Sequence, residues 1–242
     1  MIQRMLAGGL IAGFAAGLFA ALLHFAFVQE LILLGEQYET GAVTHFAGSG
    51  EAPEASGHDH GHTDADGAHD HGDGGAEPAF KRNTLTVLFT GLIYAGYGLL
   101  LVAGFALAEH FGRTIRAQDG ILWGIAGFAA LQFAPAMGLA PELPGTIAAD
   151  LGARQVWWWG TVLATGSGLA CLAYGRNLVP WVIGGALLAA PHAIGAPELG
   201  EYYGSAPPEV AAAFSARVLG VGLAVWTVLG WLAGQFWARG SE

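Results

Sequence analysis

The sequence predicts an all-α fold, a polytopic membrane helical bundle of about six transmembrane helices arranged as three helical-hairpin repeats. Three observations carry this. Of the 242 residues, 54% are hydrophobic and only 12% are charged, against about 25% charged in soluble domains, and the mean hydropathy is +0.48. The apolar residues gather into six stretches close to the roughly 20 residues that a spanning helix needs. Finally, a proline–glutamate segment occurs twice at a fixed offset, the mark of an internal repeat. The whole chain, 1–242, is read as one transmembrane domain, with 40–80 a disordered His/Asp-rich extracytoplasmic loop inside it.

The stretches are taken in order. Residues 5–28 contain one ionisable side chain, His24; the run exceeds the 7–15 residues of a signal-peptide apolar region, so it is expected to be a retained helix. Residues 85–108, 121–140, 156–174, 178–196 and 218–237 supply the other five, with Pro191 and Pro197 interrupting the end of the fifth. Gly9, Gly13 and Gly17, then Gly230 and Gly234, repeat at a spacing that lets helix backbones approach closely in lipid. Trp123, Trp157, Trp158, Trp159, Trp181 and Trp237 fall near the expected span ends, as an aromatic belt does.

The net charge of −10 belongs to one segment. Residues 30–80 hold eleven of the nineteen acids and no Lys or Arg, and the remainder is close to neutral. No basic patch suits nucleic acid. Arg4, Arg113, Arg116, Arg176 and Arg239 flank one side of the spans, and Lys81, Arg82, Arg154 and Arg217 the other. The excess of positive charge places both termini in the cytoplasm and the 30–80 loop outside. Cys171, the single cysteine, has no partner for an internal disulfide and reads as a small hydrophobe.

The repeat is explicit. Residues 134–143 read APAMGLAPEL and residues 190–199 read APHAIGAPEL, with Ala134, Pro135, Ala140, Pro141, Glu142 and Leu143 matching Ala190, Pro191, Ala196, Pro197, Glu198 and Leu199. The first stretch ends in a related way, with His24 six residues before Glu30-Leu31, as His192 precedes Glu198-Leu199. Arg82, Arg154 and Arg217 stand just before the second, fourth and sixth stretches. The expectation is three hairpins about one axis along the membrane normal, each with a glutamate at its outer turn and an arginine where the chain returns. Glutamate and arginine as simple interfacial helix caps is the competing account.

The strongest chemical signal is 58–73, HDHGHTDADGAHDHGD. His58, His60, His62, His69 and His71 alternate with carboxylates, among them Asp59 and Asp70. Imidazole suits Zn, Cu, Ni and Co, and carboxylates add oxygen ligands and charge. A segment this polar cannot fold alone, so it would wrap a divalent metal loosely. An ionisable side chain inside a membrane segment is a functional candidate, which singles out His24 and His192. Around one axis, His24, His192, Glu30, Glu142 and Glu198 would converge at an outer mouth. Pro135 and Pro191 each remove an N–H and free the carbonyl four residues back, at Leu131 and Leu187, where a cation could shed water. Gln132 and Met137 lie close by in sequence. Glu109 and His110 end the second stretch on the cytoplasmic side. No nucleotide-binding loop, nucleophile elbow or HExxH motif occurs, so the chain reads as no enzyme, with no cofactor.

The opening helix, the His/Asp-rich first outer loop, APAMGLAPELPG at 134–145 and APHAIGAPELG at 190–200 resemble the CbtA family of predicted cobalt transporter subunits over essentially the full length. The proline–glutamate segments are the most specific part. The family is commonly described with about five spans and is usually paired with CbtB, a small one-helix His-rich subunit. The resemblance implies uptake of Co²⁺ across the bacterial inner membrane for cobalamin synthesis, with lipid and a CbtB-like subunit as partners. Self-association into a homo-oligomer, transport of Ni²⁺ or Zn²⁺ instead, and a non-transporting metal sensor or assembly partner stay open.

Overall fold

A computed structural model describes residues 2–44, 76–200 and 204–241 of the chain. The described residues are helical apart from turns and one isolated antiparallel bridge between Thr146 and Gly204. In order they form α1 (Ile2–Phe27), α2 (Gln29–Glu39), α3 (Ala76–His110), α4 (Asp119–Phe128), a π turn (Ala129–Phe133), α5 (Ala134–Ala136), α6 (Leu151–Tyr174), α7 (Leu178–Ile194) and α8 (Pro208–Ser241). Four of these, α1, α3, α6 and α8, are long and apolar enough to cross a membrane, and α7 is a shorter apolar helix of 17 residues. The third expected stretch is helical too, but composite: α4, the π turn and α5 follow one another without a break.

Local chemistry sets the boundaries. The Asp150 carboxylate accepts the Ala153 N–H at 2.9 Å and starts α6, and Asn177 accepts from Val179 N–H at 3.2 Å to start α7. These caps satisfy amide donors that have no partner within the helix. After α3 the chain turns at Gly112 (φ 76°), and after α7 at Gly195 (φ 86°), a backbone region that glycine enters without steric cost. Before α4, Arg116 grips Asp119 through a 3.2 Å ion pair. The hydrogen bonds from Arg116 hold the Asp119 carboxyl below its usual pKa, although so exposed a pair adds little stability.

Glycine decides how closely the helices approach. A Cβ on Gly13 would meet the backbone of Tyr94 and Ala95, and one on Gly17 the backbone of Thr90 and Gly91, so α1 and α3 run antiparallel almost backbone to backbone. Gly120 and Gly124 of α4 fit against Gly230 and Gly234 of α8 in the same manner, and Gly168 of α6 against Gly184 of α7. The small-residue spacing read from the sequence is thus the packing code for the first and last stretches. Around these crossings lies the main core, in which Ala12, Ala16, Phe105, Val225, Leu229 and Ala233 are fully buried. Trp226 fills it, 1% exposed, with the Tyr97 ring at 4.8 Å. A smaller cluster of Val28, Leu31, Leu143 and Phe214 closes one end.

The order of packing is α3–α1–α8–α4, with α6 reached through the π turn and α5, and α7 packed on α6. Helix α3 also touches α8 and α4, so these four close into one cluster with α6 and α7 attached at its side, and α7 and α8 make no backbone contact. Three equivalent hairpins around a common axis are not what this packing forms. Consecutive stretches pair closely as α1 with α3; the second pair touches mainly near its loop end, and the third not at all. The physical reason is the position of small residues: the glycines of α8 match those of α4, and those of α7 match α6.

Two tryptophans expected in the interfacial belt serve the interior instead. Trp237 is 2% exposed, and its Nε1–H donates to Glu109 Oε1 at 2.9 Å. Trp123 stands edge-on to Phe105 and covers Gly104. Trp159 and Trp181 are more than half exposed, where a belt residue belongs.

Candidate metal pathway

The antiparallel crossings bring the C-terminal ends of α1, α5 and α7 to one end of the bundle, together with the starts of α6 and α8. Every described member of the expected mouth lies at this end. The structure does not gather them into one site: among the described residues no group of three or more His, Cys, Asp and Glu stands close enough to hold a metal ion. His24 sits on α1 and His192 on α7, helices that do not touch. His58, Asp59, His60, His62, His69, Asp70 and His71 lie outside the described residues.

Each candidate has its own surroundings. Glu142 Oε2 pairs with the Arg154 guanidinium at 3.0 Å, their side chains 35% and 25% exposed. Beside them opens a groove of about 380 Å³ lined by Pro141, Gln155, Trp158 and Trp159. Glu198, the repeat partner of Glu142, is exposed, as is Glu30. Of the three glutamate–arginine sets, Glu142 with Arg154 is the ion pair formed among the described residues. Arg217 instead donates to the Phe27 carbonyl at 3.0 Å, capping α1. His24 is half-buried, edge-on to Phe25 at 5.7 Å between ring centres. His192 is exposed, with the Trp157 ring 6.3 Å away.

The two repeat segments do meet, through α6. Gly138 lies against Trp157 and Ala196, and the Trp157 Nε1–H donates to the Pro191 carbonyl at 3.2 Å. Trp157 therefore stitches the first proline segment to the second, and Ser215 of α8 donates to the Pro141 carbonyl at 2.7 Å.

The π turn directly before Pro135 has no signature in the amino-acid pattern. Ala134 N–H bonds to the Ala129 carbonyl, five residues back. Pro135 has no N–H to offer. The Leu131 carbonyl loses its donor four residues on, as expected, and the Ala130 carbonyl is left without one as well: Ala134 is engaged and the fifth residue is the proline. A widened turn beside a proline is thus the one structural signal of this break, and such turns concentrate at functional sites. Gln132 points the other way, its amide packed over Gly222 of α8. Met137 is 65% exposed.

A bundle of antiparallel apolar helices, glycine-packed and broken by proline in mid-segment, defines a multi-pass helical membrane protein with the features of a carrier or channel. The chain belongs to the CbtA family, described as "Probable cobalt transporter subunit (CbtA)", whose family model matches residues 2–238. No curated protein and no solved structure matches it.

Proposed function

We propose that this chain is the spanning subunit of a divalent-cation importer of the bacterial inner membrane, with Co²⁺ for cobalamin synthesis as the favoured cargo. Membership of a cobalt-transporter subunit family over nearly the whole chain carries the reading. All six helical segments cross the bilayer, with both termini cytoplasmic. A hydrated cation is captured by His58, Asp59, His60, His62, His69, Asp70 and His71. It then passes over Glu30, Glu142, Glu198, His24 and His192 at the outer end. These stand apart, which suits weak successive contacts and fast release. The membrane potential supplies about 2.3 kcal/mol per charge per 100 mV, and twice that for a divalent ion. A small His-rich CbtB-like subunit is the partner that the word "subunit" calls for.

The deciding measurement is radiolabelled Co²⁺ flux into proteoliposomes, with and without such a partner. Competition by Ni²⁺ and Zn²⁺ identifies the cargo, and no flux with any of the three would make the chain a sensor or assembly partner. Deleting residues 55–75 is expected to raise the metal concentration for half-maximal uptake with little change in maximal rate. Abolished flux at saturating metal in an inserted protein would put the loop in the permeation path. Topology is checked by cysteine labelling in a Cys171→Ser background. Ser56→Cys should react with an impermeant reagent from outside and Ser241→Cys should not.

A further inference from the structure

Halfway along α6, Thr165 is 3% exposed and its Oγ1 has no hydrogen-bond partner among the described residues. Other helical threonines solve this locally. Thr86, Thr161 and Thr227 each donate to the carbonyl four residues back, at 3.0, 2.9 and 2.7 Å. Thr165 makes no such bond. A buried polar atom left unpaired calls for a specific explanation, an ion or water among them.

The neighbouring element supplies one. Helix α6 packs on the π turn and on α5, and the Trp157 ring reaching Gly138 shows the two segments to run antiparallel. Counting along both segments from that contact brings Thr161 to within about a turn of Ala134 and Thr165 to within about a turn of Ala130. Ala130 and Ala134 are both buried, as a shared interface requires. At this level lie the carbonyls of Ala130 and Leu131, deprived of their helical donors by the π turn and Pro135. Thr165 is about 21 Å along α6 from its first residue at 1.5 Å per residue, close to the bilayer midplane. Oxygen atoms without donors and a hydroxyl without an acceptor thus share one level where water is scarce.

We propose that Thr165 Oγ1 and the freed carbonyls of Ala130 and Leu131 form a neutral-oxygen relay point for the transported divalent cation, midway across the membrane. The proposal rests on the transport reading above. Neutral oxygens replace part of the lost hydration without a carboxylate to trap the ion, and conduction requires binding strong enough to admit an ion yet weak enough to release it.

The test is Co²⁺ flux in proteoliposomes of the full chain, with its partner subunit if flux needs one, together with melting temperature in detergent. Thr165→Val keeps the shape and removes the oxygen. Its flux at saturating Co²⁺ is expected to fall at least tenfold, equal to about 1.4 kcal/mol, while it melts at or above the parent because an unpaired hydroxyl has gone. Thr165→Ser keeps the oxygen and should stay within twofold of the parent. If the valine variant fails to insert, Thr165→Ala is measured instead, with the same loss expected. Parent-like flux in the oxygen-free variant, or equal loss in the serine variant, overturns the relay and leaves the transport reading standing. Absence of flux in the parent overturns both.

Discussion

Gly230→Val is expected to destabilise the bundle strongly. A Cβ at this position would lie 2.7 Å from both the Cα and the N of Gly124, and closer still to the Gly120 carbonyl. These obstacles are backbone atoms, so no rotamer change relieves them, and α4 and α8 would have to separate along their length. Overpacking in an ordinary core costs about 1–3 kcal/mol, occasionally more; a backbone-to-backbone crossing belongs at or beyond the upper end. About 3 kcal/mol lowers the melting temperature of a chain this size by roughly 6–12 °C. The purified variant should lose its single sharp size-exclusion peak. Gly185→Val is the control, since nothing lies within 4 Å of a Cβ there, and it should behave as the parent. A parent-like melting profile for Gly230→Val would mean that the α4–α8 crossing is looser than described.

The double variant Glu142→Gln/Glu198→Gln is expected to lower Co²⁺ flux at least tenfold, about 1.4 kcal/mol in activation free energy. Both residues follow a proline at the same place in the repeat, and Gln keeps the shape while removing the charge. The contributions should be unequal. Arg154 already offsets the Glu142 charge at 3.0 Å, whereas Glu198 stands exposed, so Glu198→Gln alone should account for most of the loss. A partly exposed ion pair is worth only about 0–1 kcal/mol, so a purely structural role for either residue predicts nearly normal flux. Normal flux in the double variant would eliminate the outer glutamates from the pathway.

The helices were legible because about 20 apolar residues leave the backbone no alternative in lipid. The glycine rows were legible because close approach needs a missing side chain. Which helices pair was not. In lipid the outside of a helix is as apolar as its inside, so residues 156–174 or 178–196 carry no phase that says which face is buried. Symmetry in the proline–glutamate repeat suggests three equal hairpins, but the repeat describes the ends of helices, and the pairing is set by glycines in their middles. Trp237 was misplaced for a related reason: an indole with one polar atom suits the interface and equally suits a core with Glu109 to accept its N–H. The π turn had a cause in the sequence, Pro135, but no spelling of its own. Nothing in the sequence singles out Thr165, because a threonine in an apolar run ordinarily bonds to its own helix.

Arg217 reaching the Phe27 carbonyl joins residues 190 positions apart, and this has a consequence for biogenesis. Helix α1 leaves the ribosome long before α8, yet they share one core. During synthesis α1 has only α3 to pair with, through Gly9, Gly13 and Gly17. The face carrying Gly8, which awaits Phe236, stays against lipid until α8 arrives. Helices α6 and α7 are finished in between and can pair with each other without waiting. The bundle is therefore sealed in a late step by α8, and a nascent chain stopped before residue 208 leaves the faces of α1 and α4 that α8 covers against lipid.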